Sequence, residues 1–286
     1  MARVIRTTAL VAGGLAAGVG ATMVAGARTW NRRTERLVAR LWEIATAPDR
    51  GDAFAPFDVR QLEGLPAPVV RYFTFALTPG QRAIRRAHLR FDGTFAAKPD
   101  AWAPFTADQH VSARPPGFVW DARIAMMPVV PVRVRDSYVG GEGSMRAAVA
   151  SVVSMIDQHG TKEIAAAALQ RFLAEAVWLP TALLPRDGLV WSPIDDANAR
   201  VTLTDGATTV SLDVHFASTG EVESISTMRY RDVNGTPVLT PWVGHHTDYV
   251  RMDGMMIPTR GEVAWGMPEG PVPYWRGRIV EARFDW

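Results

Sequence analysis

The sequence contains no cysteine, which excludes structural disulfides, thiolate zinc sites, a thiol nucleophile and a lipidated N-terminal Cys. Lysine is nearly missing as well. Lys98 and Lys162 are the only two among 31 basic residues, a bias read as codon composition rather than function. The spacings that carry common chemistries are absent: there is no HExxH, no GxSxG, no Walker loop and no dinucleotide fingerprint after a strand. No cofactor is therefore expected. Positive charge is scarce where a nucleic acid would need it. Residues 1–40 hold seven Arg against one acid, Glu35, a balance of +6, and the whole chain is +2, so residues 41–286 sum to −4. A phosphate backbone calls for clustered Lys or Arg, and nucleic acid is not an expected partner.

What is present is globular chemistry, with 48% hydrophobic and 21% charged residues over 286 positions. Ten Trp and eleven Phe run from Trp30 to Trp286, so aromatic packing is expected to continue into a C-terminal strand. From Thr7 to Ala27 there are 21 residues without a charge, flanked by Arg3 and Arg6 on one side and by Arg28, Arg32 and Arg33 on the other. About 20 apolar residues cross a bilayer as helix. The expectation drawn is a single-pass anchor in the cell membrane through residues 7–27, with the side of the globular part unresolved. A cleaved signal peptide, suggested by Ala25-Gly26-Ala27, and a buried soluble helix stay open as alternatives. Gly14, Gly18, Thr22 and Gly26 recur every four residues, a small-residue face that fits self-association or a chance match in an Ala/Gly-rich helix.

Helical spacing continues over Trp30–Ala47, where Leu37, Leu41 and Ile44 share a face, and a Pro- and Gly-containing linker follows from Pro48 to Gly64. Leu65-Pro66-Ala67-Pro68 opens a short helix that Thr78-Pro79-Gly80 stops. From Ile84 the period becomes two. Thr161 caps one interrupting helix, which Pro180 ends. Asp205-Gly206, Asn234-Gly235 and Asp253-Gly254 then supply hairpin turns between further strands. The predicted fold is mainly β (α+β): a curved antiparallel half-barrel of about ten to twelve strands in meander order, with an inserted helix and an N-terminal transmembrane helix. The partition expected is residues 1–28 as membrane anchor, 29–64 as juxtamembrane helix and linker, and 65–286 as a single β-rich domain.

Three blocks carry a resemblance: Val70-Arg71-Tyr72-Phe73, Arg135-Asp136-Ser137-Tyr138-Val139-Gly140-Gly141-Glu142-Gly143, and the stretch from Leu173 to Pro185 that includes Glu175-Ala176-Val177-Trp178-Leu179-Pro180. Over about residues 60–286 the chain resembles a bacterial family of uncharacterised proteins, often membrane-anchored, which brings no known activity. The order of elements is also similar to the half-barrels of LolA-like lipoprotein carriers, whose curved sheet grips acyl chains beneath helical lids. That likeness is architectural, and architecture alone does not fix function.

Two polar groupings stand out. His245, His246 and Asp248 are the best metal candidates, but neighbouring strand side chains point to opposite faces, so no metal site is expected. Arg171 and Glu175, four apart on the inserted helix, lie one turn before Trp178. With Arg135 and Asp136 they form either an ion pair that locks helix to sheet or an anchor for a lipid head group or carboxylate. Tyr72, Trp120, Tyr138, Trp178 and Trp191 are the aromatic candidates for the pocket. Three functions remain: a binding or carrier protein for a lipid or other apolar ligand, a structural or interaction protein of the cell envelope, and a hydrolase of unknown substrate using paired acids. The balance leans away from an enzyme.

Overall fold

A computed structural model describes residues 2–46, 54–126 and 130–286; the side chains of residues 2–17 and of Val19 are outside that description. Thirteen antiparallel strands form one curved sheet, one more than the upper bound expected. They are β1 (Arg86–Ala96), β2 (Trp102–Ser112), β3 (Gly117–Ile124), β4 (Val132–Val139), β5 (Glu142–Val149), β6 (Val153–His159), β7 (Leu189–Pro193), β8 (Asn198–Asp205), β9 (Thr208–Phe216), β10 (Val222–Val233), β11 (Thr236–Met252), β12 (Met255–Met267) and β13 (Gly270–Asp285). The extra strand arises where the chain turns at Ala150-Ser151, both at positive φ, and separates β5 from β6.

The strand order corrects the meander. It runs β6-β5-β4-β3-β2-β1-β13-β12-β11-β10-β9-β8-β7, so two meanders of opposite sense are joined where β13 pairs with β1, from Arg86 opposite Asp285 to Phe95 opposite Trp275. β6 and β7, consecutive in the chain, are the two edges, and the sheet is not closed. The turns follow local chemistry. Asn234-Gly235 and Asp253-Gly254 have positive φ at both residues, as a tight twisted hairpin requires.

Helix α3 (Lys162–Glu175) carries the chain from one edge to the other across the concave face. Thr161 accepts from the amide of Ile164 and caps it. Gly143 on β5 lets it approach closely, since a Cβ there would lie 2.4 Å from the carbonyl oxygen of Ile164. β10 pairs with β9 only between Val222 and Ser226. Beyond that point α3 serves the free edge, and Gln170 donates to the Met228 carbonyl at 3.0 Å and to Thr227 at 3.1 Å. Helix α2 (Ala67–Ala76) buries Val69, Tyr72 and Phe73 against the β8–β9 end of the core. The segment expected as a linker contributes Phe57 and Leu62 to that core.

Helix α1 (Ala2–Ala45) lies against the convex face of β2, β3 and β4. Its indole at Trp30 donates to Asp121 at 3.0 and 3.2 Å, and Thr34 donates to the same carboxylate at 2.6 Å. Asp121 is in turn paired with buried Arg133 at 2.8 Å. Leu41 packs on Val119 and Val139, with Leu37, Val38, Trp42 and Ile44 around it. β4 is consequently buried along its whole length, because α1 covers one face and α3 the other.

The membrane span expected over Thr7–Ala27, and with it the single-pass placement in the cell membrane, is corrected: among the described residues no helix is long and apolar enough to cross a membrane. From Gly20 onward the helix carries Arg28, Arg32, Arg33, Glu35, Arg36 and Arg40 among its apolar positions, and it docks on protein. Of the expected self-association face, the side chain of Gly14 is outside the description. Gly26 meets Val152 and Ser151 of the same chain, where a Cβ would come within 2.5 Å of the Val152 side chain.

The docking of α1 yields a paired prediction. A chain beginning at Arg28 keeps every polar contact that Trp30, Asn31 and Thr34 make with the sheet, and it should unfold within about 1 kcal/mol of the full chain. A chain beginning at Ala47 exposes Val119 and Val139, removes Asn31 from Arg133 and removes Trp30 and Thr34 from Arg135. It should lose more than about 3 kcal/mol, the cost of deleting a single buried Trp. Guanidinium unfolding of the three proteins decides; equal midpoints would show that α1 contributes nothing to the fold.

Candidate functional site: a cavity beneath the crossing helix

Between α3 and the concave face lies a cavity of about 630 Å³. Its floor is aromatic. Trp275 lies over Gly277, where a Cβ would be 2.3 Å from the indole, and Gly277 faces Gly93 on β1 and Gly261 on β12 in register. The missing side chains let the sheet bend and the indole lie along it. Phe105 and Phe91 flank Trp275 at ring distances of 5.8 and 6.3 Å. Trp178 closes the floor against Phe91 at 5.0 Å. Exposed Met155 and Asp232 mark the mouth, between β6 and the β10–β11 hairpin. Gln158 donates to Asp232 at 2.5 Å across it.

The inner end is polar, and its charged groups are paired with one another. Arg171 donates through Nη1 to Asp136 at 2.7 Å and through Nε to Glu175 at 2.8 Å. Gln109 of β2 donates to the other oxygen of Glu175 at 2.6 Å. The guanidinium stands 4.8 Å from the centre of the Trp120 ring and 5.1 Å from that of Phe118, within cation–π range. Burial works against its charge, but Glu175 and Asp136 outweigh burial and hold Arg171 above the usual arginine range. The arginine charge is thus fixed between two carboxylates.

His246 lines the same cavity, 8% exposed, with its ring 6.4 Å from Trp178. Burial, and then the neighbouring His245, push its pKa down to about 4, so the imidazole is neutral at physiological pH. Its Nδ1 and the indole nitrogens of Trp120 and Trp178 have no hydrogen-bond partner among the described residues. Each unpaired buried donor or acceptor costs on the order of 1–3 kcal/mol, and such costs concentrate at functional sites.

Five of the nine side chains read as a pocket converge here: Arg171, Glu175, Trp178, Asp136 and Trp120. The other four do not. Arg135 follows Asp136 on a strand and faces the opposite side, where it donates to Thr34 at 2.9 Å and sits over the Trp30 ring. Tyr138 is buried and donates to Asp205 at 2.7 Å. Tyr72 belongs to the α2 core, its ring 5.8 Å from Phe216. Trp191 donates to the Leu183 carbonyl at 3.0 Å and packs on Phe73. Sequence reasoning missed Trp242, Trp265, Tyr274, Trp275, Arg229 and Arg231, all of which line the cavity. A signal existed for the last two, since Arg229 and Arg231 share a strand face.

The network predicts an asymmetry. Arg171→Met strands two buried carboxylates and should cost about 3–5 kcal/mol, whereas adding Asp136→Asn and Glu175→Gln to it should recover most of that loss by leaving no charge unpaired. Urea unfolding measures both; a triple variant no more stable than Arg171→Met would mean that ring contacts, not charge pairing, make Arg171 matter.

Comparison with known proteins adds a family and little else. The chain is similar to the crystal structure of a LolA superfamily protein from Nitrosomonas europaea, at 12% identity over 78% of this chain and 95% of that one, with a TM-score of 0.41. It is also similar to a beta-barrel-like protein of a domain of unknown function, DUF1849, from Brucella abortus, at 9% identity over 71% and 99% of the two chains, with a TM-score of 0.28. No curated protein matches. Residues 63–284 match a single family, and the chain belongs to it: the family of unknown function DUF6920.

Proposed function

We infer that the concave cavity binds one apolar or lipid-like ligand, and that the protein is a binding or carrier module. The observation that carries this is the cavity itself, unfilled at about 630 Å³ although eight aromatic side chains and several large aliphatic ones line it. That volume lies within the roughly 300–1,000 Å³ typical of small-ligand sites. A scaffold would gain more by packing the space, since interiors are close-packed and voids lose both transfer and dispersion energy.

Catalysis by paired acids fits less well. Asp136 and Glu175 share one arginine, and Glu175 is further held by Gln109. Among the described residues His246, which lines the cavity, has no acidic partner. The interaction reading has one observation in its favour: edge strand β6 exposes Val153 and Met155 at 62% and 59%, and bare apolar edges invite pairing.

The test uses natively purified full-length protein and decanol as an uncharged apolar probe. Intrinsic Trp fluorescence should change saturably on titration, and Val263→Trp, which places a larger ring inside the cavity, should weaken binding by tenfold or more, or about 1.4 kcal/mol. No response in the parent protein, together with no lipid in its solvent extract, would remove the carrier reading and leave the β6 edge as the stronger lead.

A further inference from the structure

The charges around the cavity are not distributed evenly. At the inner end one guanidinium, Arg171, meets two carboxylates, so the inner end is net negative and has no cation to offer an anion. At the mouth the arrangement is reversed. Asp232 accepts from Gln158 and from the amide of Gly235, and Asp157 is paired with Arg146 at 3.0 Å. Arg229 and Arg231, two apart on β10, share the cavity face. Among the described residues neither forms an ion pair.

Both guanidiniums are held by aromatic rings. Arg229 lies 5.5 Å from the centre of the Trp242 ring, donates to the Ala167 carbonyl at 3.1 and 3.3 Å, and reaches the hydroxyl of Tyr274 at 3.4 Å. Tyr274 is itself fixed by the indole of Trp242 at 2.9 Å and by stacking on Trp265. Arg231 lies 5.9 Å from the Trp265 ring and makes no hydrogen bond to a described residue. Arg229 is thus partly engaged in holding α3, whereas Arg231 is a positioned, half-buried donor fork with no partner. Planar forks of this kind favour carboxylate and phosphate.

On the reading of the cavity as an apolar binding site, we propose that its ligand is a single-headed anionic amphiphile, with the carboxylate or phosphate held at the mouth by Arg231 and Arg229 and the apolar part directed inward over Trp275 and Trp178. The opposite orientation would bring the head group to Asp136 and Glu175, where like charge repels it. This moves the anion site from Arg171, whose pairing with two acids removes it from that role.

The test compares three ligands of one chain length on the full-length protein: decanoate, decyl phosphate and decanol. The two anions should bind about tenfold or more tightly than the alcohol, the size of one charge-assisted hydrogen bond. Arg231→Gln should abolish that preference by weakening decanoate and decyl phosphate about tenfold more than decanol, and Arg231→Lys, which keeps the charge, should retain part of it. Whichever anion binds more tightly identifies the head group as carboxylate or phosphate. If decanol binds as well as the anions, the head-group assignment fails while the cavity reading stands. If Arg231→Gln weakens all three alike, the arginine acts through packing and the assignment also fails. If none of the three binds, the cavity reading itself is wrong.

Discussion

The buried pairing of Arg171 with Asp136 and Glu175 is the constraint on which the rest of the cavity depends. It ties one side of α3 to β4 at 2.7 Å, while Gln170 and Arg229 tie the other side to β10. A helix held from both sides of a curled sheet cannot settle onto the floor, and the space beneath it stays open. Buried ion pairs are weak devices for stability, because desolvation offsets much of their attraction. Their use here is geometric, setting where α3 crosses and how high it sits.

The same sheet carries a second polar clamp on its other face. Asp121 gathers Trp30, Thr34 and Arg133, and Arg135 completes the contact with α1. Strands β3 and β4 therefore alternate between two environments: Phe118, Trp120, Val134 and Asp136 turn toward α3, whereas Val119, Asp121, Arg133 and Arg135 turn toward α1. Covering both faces stiffens the wall that bears Asp136, so the two helices are coupled through one strand.

Much of this was legible in the sequence, for local reasons. Period-two alternation, Asn-Gly and Asp-Gly turns, the Thr161 cap and the Pro68 entry to α2 are short-range signals, and the elements they mark formed. The i, i+4 relation of Arg171 and Glu175 was also local, and it survived as a real contact. What escaped was non-local. Nothing near residue 280 announces that β13 pairs with β1, almost 200 positions earlier, and that pairing brings Trp275 beneath Trp178. Arg135 was misplaced by treating it with Asp136 as one polar unit, although strand geometry separates them. The uncharged stretch from Thr7 to Ala27 has the length of a membrane span, but among the described residues no helix is long and apolar enough to cross one, and the helix that continues from it is charged and docked on the sheet.

Occupation of the space beneath α3 should remove apolar surface from water. The most direct measurement is the heat-capacity change of decanol binding, from titration calorimetry on the full-length protein at several temperatures. Apolar burial makes this quantity negative whatever the sign of the enthalpy at any one temperature. A clearly negative value is expected, and it should shrink when Val263→Trp fills part of the cavity. A binding enthalpy that does not vary with temperature, or one that Val263→Trp leaves untouched, would contradict it.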